Sequence, residues 1–228
     1  MSTYLVINLL IILLPLLLSF DKKTAYYKNI FPVIISIIVV GTAFLIWDSV
    51  AVARGDWSFN SEYVGGIHIF NLPLEEVLFF VTVPYSCIFI YEVLRNYITE
   101  KEVKVRNGVI IFFVLVFIIS AVIFSDQYYT FTVLLFSSFF LLTGLFKFNN
   151  LLKSKIYWLT ILLSYIPFLV VNYVLTSLPV VEYNDKAIWG YRFITIPVED
   201  FFYSFSMISF WILIYRIAGK IKGNISNA

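Results

Sequence analysis

Residues 71–80 read NLPLEEVLFF and residues 195–204 read TIPVEDFFYS. Each stretch sets two neighbouring acids at the head of a long apolar run: Glu75 with Glu76, and Glu199 with Asp200, just after Pro73 and Pro197. An apolar site favours the neutral carboxylic acid, and an ionised neighbour beside it can act as a base. A neutral acid in a dry cavity can protonate an alkene, provided that aromatic faces stabilise the resulting carbocation. Phe79, Phe80, Tyr85, Phe201, Phe202 and Tyr203 follow the doublets within a few turns, in a chain that is 20% aromatic. Helix capping is the competing use. With Leu72 and Ile196 as N-caps, Pro73 and Pro197 take the first helical position and Glu75 and Glu199 the third, close to the positive helix end. Capping leaves Glu76 and Asp200 unexplained, because they lie about 100° further round the helix. It also leaves out Asp48 and Asn172, which stand at matching places near the ends of earlier apolar runs. Ionisable groups at membrane depth are costly and usually face a cavity or a partner, which favours a shared polar site.

The elements that must carry these acids are membrane helices. Hydrophobic residues make up 61% of the 228, charged residues 13%, and mean hydropathy is +0.92. A bilayer-spanning helix needs roughly 20 apolar residues, and seven stretches qualify, at about 3–20, 30–50, 74–94, 108–125, 129–147, 156–175 and 197–218. The expected fold is an all-α integral membrane protein with seven transmembrane helices. The first stretch lacks a basic leader region and a small-residue cleavage site, so it reads as a retained helix. With alternating crossings, one side holds Lys22, Lys23, Lys28, Arg95, Lys101, Lys104, Arg106, Lys147, Lys153, Lys155, Arg216, Lys220 and Lys222, against Arg54, Lys186 and Arg192 on the other. By the positive-inside rule the N-terminus is outside the cell membrane, the C-terminus is cytoplasmic, and both doublets lie at the outer ends of their helices. Topology and anionic lipid headgroups account for the basic clusters without any nucleic acid.

The doublets are 124 residues apart, and the same offset places Asn60 on Asn184, Gly66 on Gly190, His68 on Arg192 and Phe79 on Tyr203. The register spans polar positions that hydropathy alone would not align. It defines a first three-helix repeat over residues 1–97, a connector helix over 98–128 and a second three-helix repeat over 129–228. A single extra crossing gives both repeats the same sense in the membrane, so the expected arrangement is parallel, about a pseudo-twofold axis along the membrane normal, with the doublets facing one another. Asp48, Asn172, Asn60, Asn184, Pro73, Pro197, Arg192, Phe79 and Tyr203 are the candidate supporting or substrate-binding residues. In the long connections, Trp57, Phe59, Tyr63, Tyr183, Trp189 and Tyr191 suit an aromatic belt at the membrane interface. A lid over the outer mouth is the alternative, with Gly65, Gly66 and Gly190 at its turns.

The paired PLEE and PVED motifs, the loops that precede them and the three-helix repeats resemble the carotenoid lycopene cyclases that lack a flavin fold. In that family bacteria may encode the halves as two small subunits and fungi fuse them to phytoene synthase; this chain looks like two halves joined by one helix. The resemblance implies that Glu75, Glu76, Glu199 and Asp200 serve the cyclisation of lycopene. A proton adds to the terminal double bond of a linear ψ-end, the chain closes on the cation, and loss of a proton leaves a β-ionone ring, as in γ- and β-carotene. The reaction is an isomerisation without net redox change. No cofactor is expected: there is no Gly-x-Gly-x-x-Gly fingerprint, and the single histidine, His68, gives no metal cluster. Membrane lipid and the enzymes of the carotenoid pathway are the implied partners. A cyclase acting on a longer or modified carotenoid is the nearest alternative, and a proton-coupled transporter with intramembrane acids is the alternative from another class. A retinal-binding receptor is disfavoured because residues 197–219 contain no lysine. The lone Cys87 reads as a small buried apolar residue.

Overall fold

A helix closes its backbone hydrogen bonds within itself, as the hydrocarbon core demands, and every one of the seven apolar stretches forms one. The computed structural model describes residues 1–226, with side chains as far as Ile221, so the Lys222 side chain lies outside the described residues. Helix α1 (Thr3–Leu18) starts at Ser2, whose Oγ accepts from Leu5 N. Helix α2 (Tyr26–Arg54) contains a π turn at Ile37–Gly41 and ends on Gly55 at φ 81°. Then follow α3 (Leu74–Tyr97), α4 (Asn107–Ile123), α5 (Tyr128–Lys147), α6 (Lys155–Ser177) and α7 (Glu199–Ser226). Five of them, α2, α3, α5, α6 and α7, are long and apolar enough to cross a membrane. Helices α1 and α4 are apolar but only 16 and 17 residues long, at the short end of what spans a bilayer.

Helices α3 and α7 form the centre. Helix α3 packs on α1, α6 and α7, while α7 also packs on α2 and α5; α4 lies along α5. Ile88, Trp211 and Ile212 are fully buried where α3 and α7 meet their neighbours, and Ser36 Oγ donates to the Trp211 carbonyl at 2.7 Å. Leu17, Phe112, Val122 and Leu162 point outward, as side chains facing lipid do.

The connections between helices contain six short strands, where an all-α protein was expected. They are β1 (Trp57–Phe59), β2 (His68–Ile69) and β3 (Leu72–Pro73) ahead of α3, and β4 (Val181–Tyr183), β5 (Arg192–Phe193) and β6 (Ile196–Pro197) ahead of α7. Pairing of β2 with β3 and of β5 with β6 makes two matching hairpins, turning at Phe70 and Ile194, both at positive φ. These hairpins correct the capping scheme. Pro73 pairs with His68 and keeps an extended ψ of 148°, so it is itself the N-cap of α3, in place of Leu72. Pro197 pairs with Arg192 inside β6, and α7 begins at Glu199. Leu74 N and Val198 N donate to Ile67 O and Tyr191 O, which holds both prolines in the extended state.

Strands β1 and β4 are antiparallel, pairing Trp57 with Tyr183, Ser58 with Glu182 and Phe59 with Val181. Exchanging each residue for its counterpart 124 positions away turns the first pair into the third and leaves the middle pair unchanged. Two flanking backbone bonds obey the same exchange: Asn60 N to Val180 O at 3.1 Å, and Asn184 N to Asp56 O at 2.9 Å.

At the far end of the bundle, Gly144 of α5 lies against Leu152 in the turn Asn149–Leu152. A Cβ on Gly144 would stand 2.7 Å from the Leu152 Cδ1, and Leu152 has no exposed surface into which to move. Gly144→Val is therefore expected to cost about 1–3 kcal/mol through overpacking, read as a lower unfolding temperature of the detergent-solubilised protein.

Candidate active site

The first acid of each doublet binds the loop that precedes it. Glu75 Oε1 accepts from Gly65 N at 2.7 Å and from Ser2 Oγ at 2.5 Å. Glu199 Oε1 accepts from Trp189 N at 2.5 Å and from Thr130 Oγ1 at 2.6 Å. Gly65 and Trp189 are themselves 124 residues apart. Gly65 is required by proximity, since a Cβ there would lie 2.7 Å from Glu75 Oε1.

The second acid of each doublet faces the interior and is held by tyrosine. Glu76 Oε2 accepts from Tyr4 OH at 2.6 Å, and Asp48 lines the same cavity. Asp200 Oδ1 accepts from Tyr129 OH at 2.6 Å and from Tyr183 OH at 3.1 Å. Asp48, Glu76 and Asp200 are all buried. Tyr183 lies in β4, outside the helices, where burial and then the Asp200 charge push its phenol well above the usual range, so it remains a donor. The backbone places the two helix-borne tyrosines alike, with Tyr4 N bonded to Tyr63 O and Tyr129 N to Ala187 O.

Glu76, Asp48 and Asp200 open into one cavity of about 630 Å³, within the range of small-molecule sites. Glu75 and Glu199 stand outside its lining. Along α3 the lining extends from Glu76 to Ile90, about 20 Å at 1.5 Å per residue. Its carboxyls lie at one end, and the remainder is walled mainly by apolar residues such as Phe79, Val83, Met207 and Ile208, with the hydroxyls of Ser86, Ser164 and Ser204 among them. Trp57, Tyr129, Tyr183 and Tyr203 surround the carboxyls, with ring centroids 5.1 Å apart for Trp57 and Tyr129 and 5.7 Å for Tyr129 and Tyr183.

Several expectations meet this geometry and others do not. Phe79, Tyr203 and Asn172 line the cavity. Asn172, the counterpart of Asp48, donates to Phe168 O in its own helix. Asn60 and Asn184 shape turns, accepting from Glu62 N and Lys186 N, both at 3.0 Å. Pro73 and Pro197 end the hairpins. Arg192 is exposed and bonds Thr195 O at 3.0 Å, outside the cavity lining. The aromatic belt needs correction at three positions: Trp57, Phe59 and Tyr183 turn inward to line the cavity, because β1 pairs with β4 across its mouth. Trp189 and Tyr191 remain exposed. Sequence reasoning missed Tyr4 and Tyr129 altogether. Their spacing is 125, one residue out of step with the doublets, and a self-comparison allowing one gap would have paired them. Among the described residues, no group of three His, Cys, Asp or Glu side chains could hold a metal ion.

The apolar helices thus form a bundle with buried carboxyls at one end of a largely apolar cavity. The sequence matches the lycopene cyclase family over residues 1–94 and 126–218, and the chain belongs to that family. It is thus an enzyme of carotenoid biosynthesis acting on lycopene. No curated protein and no solved structure matches it.

The bonds that tie each loop to its helix should be visible in stability. Glu75→Ala and Glu199→Ala each remove a charge-assisted pair of acceptor bonds, and each is expected to cost about 1.5–3 kcal/mol in thermal unfolding of the purified protein. Glu76→Gln, which keeps an oxygen for Tyr4, should change stability far less in the same measurement.

Proposed function

We propose that this chain is a lycopene β-cyclase in which Asp48 and Glu76 supply the proton and Asp200 receives it. The supporting observation is the difference between the two carboxyl environments in one cavity. Asp48 and Glu76 are two buried carboxyls lining one apolar cavity, and two carboxyls sharing such a site retain a proton more readily than one alone. Asp200 instead meets two phenolic donors, Tyr129 and Tyr183, while Asn172, the counterpart of Asp48, gives its amide to Phe168 O in its own helix. Donors directed at both oxygens stabilise its anion.

With a linear ψ-end in the cavity, the proton passes from the carboxyl pair to the terminal double bond. The tertiary cation left behind is attacked by the neighbouring double bond, a carbon–carbon bond closes the ring, and the positive charge moves into it. Asp200 removes a ring-carbon proton, its electron pair forms the ring double bond, and atoms and electrons balance without an oxidant. The faces of Trp57 and Tyr129 favour the cation at each stage. Glu75 and Glu199 serve the reaction by holding the loops that keep water away.

The arrangement that goes with this reading is seven crossings, two parallel three-helix repeats about a pseudo-twofold axis, and α4 as connector. The exchange symmetry of the β1–β4 pairing supports that axis, and the two matched segments, which leave out residues 95–125, support the fused-halves reading. The acidic end then faces outside the cell membrane and the basic end the cytoplasm.

Expression in a lycopene-accumulating bacterium should convert the red pigment to β-carotene, with γ-carotene as the singly closed product, measured by chromatography. Unchanged lycopene despite normal membrane levels would overturn the assignment. Glu76→Gln cannot donate a proton to carbon and should lower conversion by roughly 10²–10⁴-fold at an unchanged protein level. Asp200→Asn should do the same.

A further inference from the structure

Resting on the cyclase reading, the question is how a long apolar molecule reaches a site with so little access to water. The acidic end is roofed by β1 and β4, whose Trp57, Phe59, Val181 and Tyr183 line the cavity from above. On the side of α2 and α5 the way is filled by stacked rings. Trp47 lies 5.6 Å from Phe136 and 5.4 Å from Tyr203, and Phe44 lies 5.2 Å from Phe136, centroid to centroid.

The side between α1 and α6 is different. The two helices share an apolar cluster near the acidic end, where Tyr4 and Ile7 gather with Leu175 and Val180. Further along, Leu10, Leu14 and Val170 line the cavity although they are 65%, 62% and 62% exposed. Side chains that belong to both the interior wall and the outer face are the rim of an opening. Each rim helix also carries a proline that lines the cavity, Pro15 in α1 and Pro167 in α6. Proline withdraws a backbone donor and bends a helix. The Ile11 carbonyl that Pro15 leaves unpaired accepts instead from Ser86 Oγ of α3 at 3.1 Å, which fixes α1 to the central helix and leaves its far side to the gap.

We propose that the cavity opens sideways into the bilayer between α1 and α6, with Leu14 and Val170 as its lips, and that the linear carotenoid enters there end first while the rest of its chain stays in lipid. The cavity reaches about 20 Å along α3 and the hydrocarbon core is about 30 Å thick. A polyene as long as the membrane is thick therefore cannot lie wholly inside, and a lateral slot lets one end react while the other remains outside. The second ring then requires withdrawal and re-entry.

Cys87 is the chain's one cysteine and it lines the cavity from α3, so its alkylation reports access without any turnover. In reconstituted vesicles, N-ethylmaleimide, which enters lipid, should modify Cys87 much faster than a sulfonate-bearing thiol reagent confined to water, as followed by mass spectrometry. Leu14→Trp combined with Val170→Trp should slow that modification at least tenfold and slow lycopene conversion with it. Leu162→Trp, on a lipid-facing position of α6 outside the cavity, should leave both rates unchanged. Equal rates for the two reagents, no modification of the wild-type protein by either, or wild-type rates in the double-tryptophan variant would each overturn the portal. Unconverted lycopene with the labelling pattern intact would instead remove the cyclase reading and leave the portal standing.

Discussion

A buried carboxylate without donors costs several kcal/mol, and the bond from a loop amide to the first acid of each doublet is how this protein meets that cost. Gly65 N to Glu75 and Trp189 N to Glu199 each fasten a loop to the start of a central helix. Once the loop is fastened, its strand lies over the cavity, and β1 can pair with β4. The next residue along the helix points about 100° away, which turns Glu76 and Asp200 from the loop towards the apolar interior. The doublet therefore divides one task between two neighbours: the first acid fixes the roof, and the second reaches the space beneath it.

The two doublets, 124 residues apart, form two such devices, but their surroundings differ. Asp48 and Asn172 stand 124 residues apart, so the cavity wall carries a carboxyl at one of these positions and, at the other, an amide bonded to its own helix. Trp47 stands 124 residues before Val171; the first fills its side of the bundle with aromatic rings and the second leaves cavity wall. A fully symmetric protein would present two identical clefts with acids in the same state. The difference at these few positions leaves one cavity in which the two inward acids, Glu76 and Asp200, have unlike surroundings.

How much of this was legible in the sequence depends on the range of the interaction. The apolar runs and the doublets are properties of the chain itself; the runs form helices, and of the four doublet acids Glu76 and Asp200 line the cavity while Glu75 and Glu199 do not. Tyr4 and Tyr129 were invisible because hydrogen bonds spanning 72 and 71 residues carry no local signal. Trp57 and Tyr183 looked like interfacial aromatics because strand pairing between loops 124 residues apart leaves no periodicity in three residues. The capping scheme failed by one position, since the same proline that can open a helix can also end a hairpin. The inward turn of Asp48 follows a π turn at Ile37–Gly41, where an extra residue rotates everything after it, and no residue type announces that.

The placement of donors bears on how dry the cavity is. Tyr4, Tyr129 and Tyr183 each give their hydroxyl hydrogen to a carboxyl, which leaves the phenol oxygens only as acceptors towards the cavity. Below them the wall is mostly apolar, with Ser86, Ser164 and Ser204 as its hydroxyls, and a water molecule needs two to four polar partners to be held in a protein. The same tyrosines that fix the acids thus leave few donors at the acidic end to hold water. Acid placement and the scarcity of donors are then two consequences of one set of hydrogen bonds, which is why replacing a phenol would disturb both together.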